Sequence, residues 1–215
     1  GNAASIAPDV LTRKGAAIYL DVRLQNDIRP EVPLPDGELR ALQGTYWSPQ
    51  TDEVVRLEFK DGALRSVGGS TVLVPVGGGV FRDGESTREW SFEAAGPKMR
   101  LSVVDFWPTA RLFERIDSPN TGSDSLQTMA GVYRSDDTQT DYRVRLVGGK
   151  LEMQWPRYAP AALTPVGTDR FLSPQGWTVG FTRNGKGVVD GLTISTRRLR
   201  RFRAERIDAA PAAST

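Results

Sequence analysis

Two pairs of neighbouring carboxylates, Asp52-Glu53 and Asp136-Asp137, are the residues whose type best suits acid–base chemistry in this chain. A glycosidase needs no more than two carboxyl groups facing each other across about 5–10 Å. Neighbours in extended chain point to opposite sides, however, and both pairs fall in short stretches with the composition of exposed turns. They are expected to be turn and solubility residues. The chain has no His, which removes serine–histidine triads and the commonest metal ligand. It has no Cys, which removes thiolate nucleophiles, disulfides and cysteine–zinc sites. Ser-x-x-Lys, Lys-Thr-Gly and Gly-x-Ser-x-Gly sequences do not occur. Gly77-Gly78-Gly79 joins two strand-like runs rather than opening a helix, so it reads as a hairpin turn and not a phosphate cradle. No catalytic, cofactor-binding or metal-binding residue is assigned.

The elements that would position any site are set by a duplication. Gly44-Thr45-Tyr46-Trp47-Ser48 returns as Gly131-Val132-Tyr133-Arg134-Ser135, at an offset of 87. Leu73-Val74-Pro75-Val76-Gly77 returns as Leu163-Thr164-Pro165-Val166-Gly167 at 90, and Glu114-Arg115-Ile116-Asp117 as Glu205-Arg206-Ile207-Asp208 at 91. The growing offset places short insertions in the second copy, one of them at Pro156–Pro160. Within each copy the period is two: Val55, Leu57 and Phe59 alternate with Arg56, Glu58 and Lys60, the pattern of a half-buried strand. Asp61-Gly62 and Asn184-Gly185 mark hairpins.

Eight strand-length runs lie between Leu42 and Ile116, and eight more between Met129 and Ile207. Closing each set into an up-and-down antiparallel barrel removes the sheet edges and leaves an interior for side chains or one small ligand. The predicted fold is therefore all-β, with two tandem eight-stranded barrels behind a short N-terminal helix. The helix is read over Pro8–Leu24, where Leu11, Ile18 and Val22 share a face. The divisions are a helix and proline-rich connector at 1–40, barrels at 41–117 and 129–208, a polar linker at 118–128 and a tail at 209–215. The opening Gly1-Asn2-Ala3-Ala4, without Met, reads like the interior of a longer protein.

Binding residues can then be sought on this frame. Tyr46, Trp90, Tyr133, Trp155 and Trp177, with Trp47, Trp107 and Phe181, are candidates to line an apolar cavity. Tyr46 and Tyr133 occupy equivalent places, which argues for shared packing in the core. Trp47 stands against Arg134, a difference marking where the copies diverge. Charge diverges too: residues 41–117 carry nine Lys and Arg against eleven Asp and Glu, and residues 129–208 carry fourteen against eight. Arg197, Arg198, Arg200, Arg201, Arg203 and Arg206 supply much of the second figure. Only Phe202 interleaves with them, so a nucleic-acid partner is not expected. Arg198, Arg200, Arg201 and Arg203 are read instead as a docking face for another domain. No stretch approaches the roughly 18 apolar residues of a membrane span.

The Gly44-Thr45-Tyr46-Trp47-Ser48 and Gly131-Val132-Tyr133-Arg134-Ser135 motifs, each before an alternating strand and a Gly turn, resemble a known family region. It is the carboxy-terminal, lipocalin-like barrel region of serine hydrolases related to class C β-lactamases, D-alanyl-D-alanine carboxypeptidases and D-aminopeptidases. Leu11-Thr12-Arg13-Lys14-Gly15-Ala16-Ala17-Ile18-Tyr19-Leu20 is similar to the helix that ends the catalytic domain or links it onward there. The resemblance implies a non-catalytic accessory region that docks on its own upstream catalytic domain and shapes substrate access, in a periplasmic or secreted protein. The family's nucleophilic Ser and Lys have no counterpart here. The alternative expectation is a lipocalin-like protein that carries a small apolar ligand.

Overall fold

The computed structural model describes residues 29–83, 88–96, 98–105, 109–116, 122–196 and 198–208. The helix expected over 8–24, Trp107, Arg197 and the 209–215 tail lie outside these residues. In the first copy the strands are β1 (Gly44–Trp47), β2 (Val54–Lys60), β3 (Ala63–Ser66), β4 (Val72–Pro75), β5 (Val80–Asp83), β6 (Glu89–Ala95), β7 (Lys98–Val104) and β8 (Arg111–Ile116). They form a closed barrel in sequence order, with β1 antiparallel to β8. The period-two reading holds along β2, where Leu57 is buried and Glu58 exposed. Asp61 and Gly62 both have positive φ, 53° and 75°, the tight two-residue turn that matches strand twist.

The second copy contains β9 (Gly131–Ser135), β10 (Thr140–Val147), β11 (Lys150–Gln154), β12 (Ala161–Ala162), β13 (Thr164–Gly167), β14 (Arg170–Leu172), β15 (Thr178–Arg183), β16 (Val189–Ser195) and β17 (Phe202–Arg206). Nine strands follow because one of the eight is broken at Leu163. Its first half, β12, pairs with β11, and its second half, β13, pairs with β14. With β9 against β17, the two ends of the sheet meet through the chain itself. The Leu163 amide still bonds the Leu151 carbonyl at 2.7 Å. Pro165 sits in β13, next to a register shift between Pro165 and Gly167, as a residue without an N–H must. Counted this way, both copies are eight-stranded up-and-down barrels.

Two helices were not expected. The end of the stretch read as a proline-rich connector forms α1 (Asp36–Leu42), and α2 (Ser123–Met129) occupies most of the stretch read as a polar linker. Each has seven residues, and they stand at the same offset of 87, so the duplicated unit begins at the helix. Helices of fewer than two turns are unstable alone and depend on tertiary contacts. Leu39 is buried in the first core, and Leu126 and Met129 in the second.

Equivalent side chains then hold each helix end. The Tyr46 hydroxyl donates to the Leu42 carbonyl at 2.7 Å, and Tyr133 to Met129 at 2.6 Å. Burial pushes the Tyr46 phenol up to about 12 and the Tyr133 phenol up as well, so both remain donors at neutral pH. Arg115 donates to the Ala41 carbonyl at 2.9 Å, and Arg206 to Thr128 and Ala130 at 2.7 and 2.6 Å. A cation at a helix C-terminus also meets the negative end of the helix dipole. The repeated glycines make room for these arginines. A Cβ at Gly44 would come within 2.9 Å of the Arg115 Nε, and one at Gly131 within 2.8 Å of Arg206 Nη2 and Asp208 Oδ1. The repeated Gly-x-Tyr and Glu-Arg-Ile motifs are thus two halves of one clasp.

Candidate ligand cavity and the joint between the barrels

Helix α2 enters β9 at one end of the second barrel, and the opposite end is open. Around that open end run the β9–β10, β11–β12, β14–β15 and β16–β17 connections. They bound a cavity of about 1120 Å³ lined by Tyr142, Trp155, Pro156, Tyr158, Trp177, Ile194, Leu199 and Phe202, with Thr138, Gln175, Gly176, Thr196 and Arg198. A smaller cavity of about 340 Å³ adjoins it at Trp155 and Pro156. The aromatic walls meet edge to face: Trp155 and Trp177 at 4.9 Å, Tyr142 and Trp155 at 6.1 Å, Tyr158 and Trp177 at 5.9 Å. Such pairs are worth about 0.5–1.5 kcal/mol beyond burial and hold the rings in fixed directions. At the rim Tyr158 and Leu199 are 53% and 56% exposed, large apolar surface left uncovered.

Local turns place these side chains. The second copy has eleven residues between Leu151 and Leu163 where the first has eight between Leu64 and Leu73, and the longer connection carries Tyr158 into the wall. The Trp177 amide donates to Ser173 Oγ at 3.2 Å, and the Ser173 amide donates to the Trp177 carbonyl at 2.9 Å. Thr196 Oγ1 accepts from the Arg198 and Leu199 amides at 3.2 and 3.0 Å, fixing the turn that presents both. Among the described residues the lining of the larger cavity has no carboxylate, and a guanidinium does not exchange protons near neutrality. The cavity can bind, but its own residues carry no acid–base pair.

A second constellation joins the barrels. Asp52, expected to be an exposed turn residue, is only 4% exposed. Its φ of 61° turns the carboxylate out of the β1–β2 loop, toward the outer face of the second barrel. There it accepts from Ser195 Oγ at 2.7 Å and, from its own barrel, Trp47 Nε1 at 2.7 Å, with Arg170 Nε 3.7 Å away. The Arg170 guanidinium lies 3.8 Å from the Trp47 ring centroid, a cation–π contact. Burial presses Arg170 below its usual value, and the Asp52 charge works against that. Arg201 completes the joint: its amide donates to Ser195 Oγ at 2.9 Å and its guanidinium to the Pro49 carbonyl. Glu53 is held by Arg111 at 2.7 Å, and Arg111 in turn reaches Asp105 at 2.6 Å. Burial alone would raise the Asp105 carboxyl, but a hydrogen bond from Arg88 and the Arg111 charge outweigh it and hold the group low.

No family model and no curated protein matches the chain. The geometry alone sorts the residues singled out by sequence. Trp155 and Trp177 come together in the cavity. Tyr46 and Tyr133, expected as possible lining, are fully buried clasps at the helix-closed ends, and Trp90 lies in the first core. Among the arginines, Arg201 binds the first barrel, Arg198 stands at the cavity, Arg203 faces Glu205 at 3.6 Å, and Arg200 is exposed. All four are exposed, and they differ in the partners they have within this chain. Trp47, the residue without an equivalent, belongs to the joint, whereas Arg134 at its place pairs with Asp141 at 2.7 Å. Asp136 is exposed in the β9–β10 turn, as expected. Sequence reasoning missed Ser195, Arg170 and the cavity residues Tyr142, Tyr158, Leu199 and Phe202. The insertion at Pro156–Pro160 was the one signal that could have found part of that wall.

Proposed function

We propose that this chain is a non-catalytic two-barrel binding region in which the second barrel receives one small apolar molecule. The observation that carries the reading is the aromatic-walled cavity at the open end of that barrel, with Tyr158 and Leu199 uncovered at its rim. The first barrel is the support, bolted on through Asp52. Binding is tested with a neutral apolar fluorophore, N-phenyl-1-naphthylamine. Its fluorescence is expected to rise on addition of the protein with one saturable site, and the melting temperature to rise by a few degrees at saturating probe. Trp177→Ala is expected to weaken binding by about tenfold or more, since a large aromatic wall is lost. No saturable binding, or equal binding by the variant, sinks the reading.

The resemblance supplies a setting. We infer that the region belongs beside a serine hydrolase domain of the β-lactamase and D-aminopeptidase kind in an exported protein, with the cavity mouth and its rim available to that neighbour or its substrate. Support comes from the repeated Gly-x-Tyr and Glu-Arg-Ile motifs and from the absence of Ser-x-x-Lys, His and Cys in this chain. The coding sequence immediately upstream of Asn2 tests it. A frame encoding Ser-x-x-Lys is the expected result, and an unrelated frame overturns the assignment.

A further inference from the structure

Resting on the cavity reading above, we propose that the ligand of the second barrel is an amphipathic anion, a flat apolar body carrying one acidic group that meets Arg198. Three observations lead there. Among the described residues Arg198 is the only charged side chain lining this cavity, which holds five aromatic side chains and no Asp or Glu; Asp141 and Arg143 line the smaller cavity beside it, and Asp141 is paired with Arg134. An aromatic box suits a cation when a carboxylate shares it, but here the one charge is positive, so a cationic ligand is repelled and an anionic one attracted. Arg198 is also uncommitted. Its backbone amide is fixed by Thr196 Oγ1, while among the described residues its guanidinium has no salt-bridge or hydrogen-bond partner. The neighbouring arginines differ: Arg201 is spent on the Pro49 carbonyl and Arg203 stands against Glu205.

The Thr196 turn sets the exposed Arg198 beside Leu199 at the wet rim of the cavity, while Trp155 is only 4% exposed and its buried indole Nε1 has no hydrogen-bond partner among the described residues. That ordering of apolar depth and charged mouth is the ordering of an amphipathic acid. A guanidinium receives a carboxylate or sulfonate through paired N–H donors, and at a partly exposed mouth the gain is modest and salt-sensitive.

The test uses two probes with one body: 8-anilinonaphthalene-1-sulfonate, and N-phenyl-1-naphthylamine, which lacks the sulfonate. The sulfonate is expected to bind about three- to tenfold more tightly at low salt, and the advantage to shrink at 0.5 M salt. Arg198→Leu is expected to abolish that advantage while leaving the neutral probe within about twofold. Arg200→Leu, an exposed arginine outside the lining, controls for binding to surface charge and is expected to keep the advantage. Equal affinity for the two probes, or an advantage that survives Arg198→Leu, overturns the anion assignment while the cavity stands. An advantage lost equally in Arg200→Leu also overturns it. If neither probe binds, the cavity reading itself fails and this inference with it.

Discussion

Asp52→Ala is expected to free the two barrels from each other while each stays folded. The substitution strips Ser195 and Trp47 of a shared acceptor and leaves Arg170, itself largely covered, without its counter-ion. Orphaning buried donors costs about 1–3 kcal/mol, and breaking a buried ion pair about 3–5 kcal/mol. A loss of roughly 3 kcal/mol is the expected sum, since Arg170 keeps the Trp47 face and some solvent. It should show as a single melting transition resolving into two, and as a larger radius of gyration in small-angle scattering. Asp52→Asn restores one acceptor but turns an amide N–H₂ on the remaining donors, and should recover less than half of the loss. Asp136→Ala is the control, an exposed carboxylate in the equivalent turn of the other copy, expected within about 0.5 kcal/mol of the parent. An Asp52→Ala protein with unchanged scattering and melting would show that the joint contributes nothing.

Arg206→Ala is expected to be the most damaging change in the second barrel, and far worse than Arg115→Ala at the equivalent place in the first. The Arg206 side chain is 4% exposed and donates to the Thr128 and Ala130 carbonyls, with Asp208 at 3.0 Å. Truncation leaves two carbonyls at the end of α2 unpaired and removes a cation from the negative end of the helix, for about 3–5 kcal/mol. Among the described residues Arg115 makes one such bond, to Ala41, at the exposed surface, and its loss should cost about 1 kcal/mol. Denaturant midpoints of the two variants decide the matter, together with hydrogen exchange at the amides of 123–129. Equal costs, or unchanged exchange in α2, would show that the clasp does not hold the helix.

The strands were legible because their signal is local. Alternation along Val55, Leu57 and Phe59, turn pairs such as Asp61-Gly62, and the recurrence of motifs at offsets of 87 to 91 need no knowledge of partners. The helices were not legible, because seven residues make less than two turns and show no 3.6-residue period. They exist through Leu39, Leu126 and the Tyr46 and Tyr133 hydroxyls, contacts that form only in the closed barrel. Asp52 was misread for a related reason. A carboxylate in a turn is usually wet, and its burial comes from Ser195 and Arg170, more than a hundred residues onward. The aromatics show the same limit from the other side. Alternation says which residues face inward, but whether an inward ring plugs a core or walls a cavity depends on which barrel end it occupies. Tyr133 lies at the end that α2 closes, whereas Trp177 lies at the end that stays open.

The break at Leu163 has a mechanical consequence. In the first tube β4 is stitched to both neighbours along one strand, so its girth is fixed by ladders on every flank. In the second, the final suture is a bend of backbone, with one half-strand sewn to each lip. Leu163 alone carries the chain from one lip to the other, and its buried position and its amide bond to the Leu151 carbonyl keep that crossing tied to β11. The vessel whose open end holds the aromatic cavity is thus also the one whose seam is interrupted.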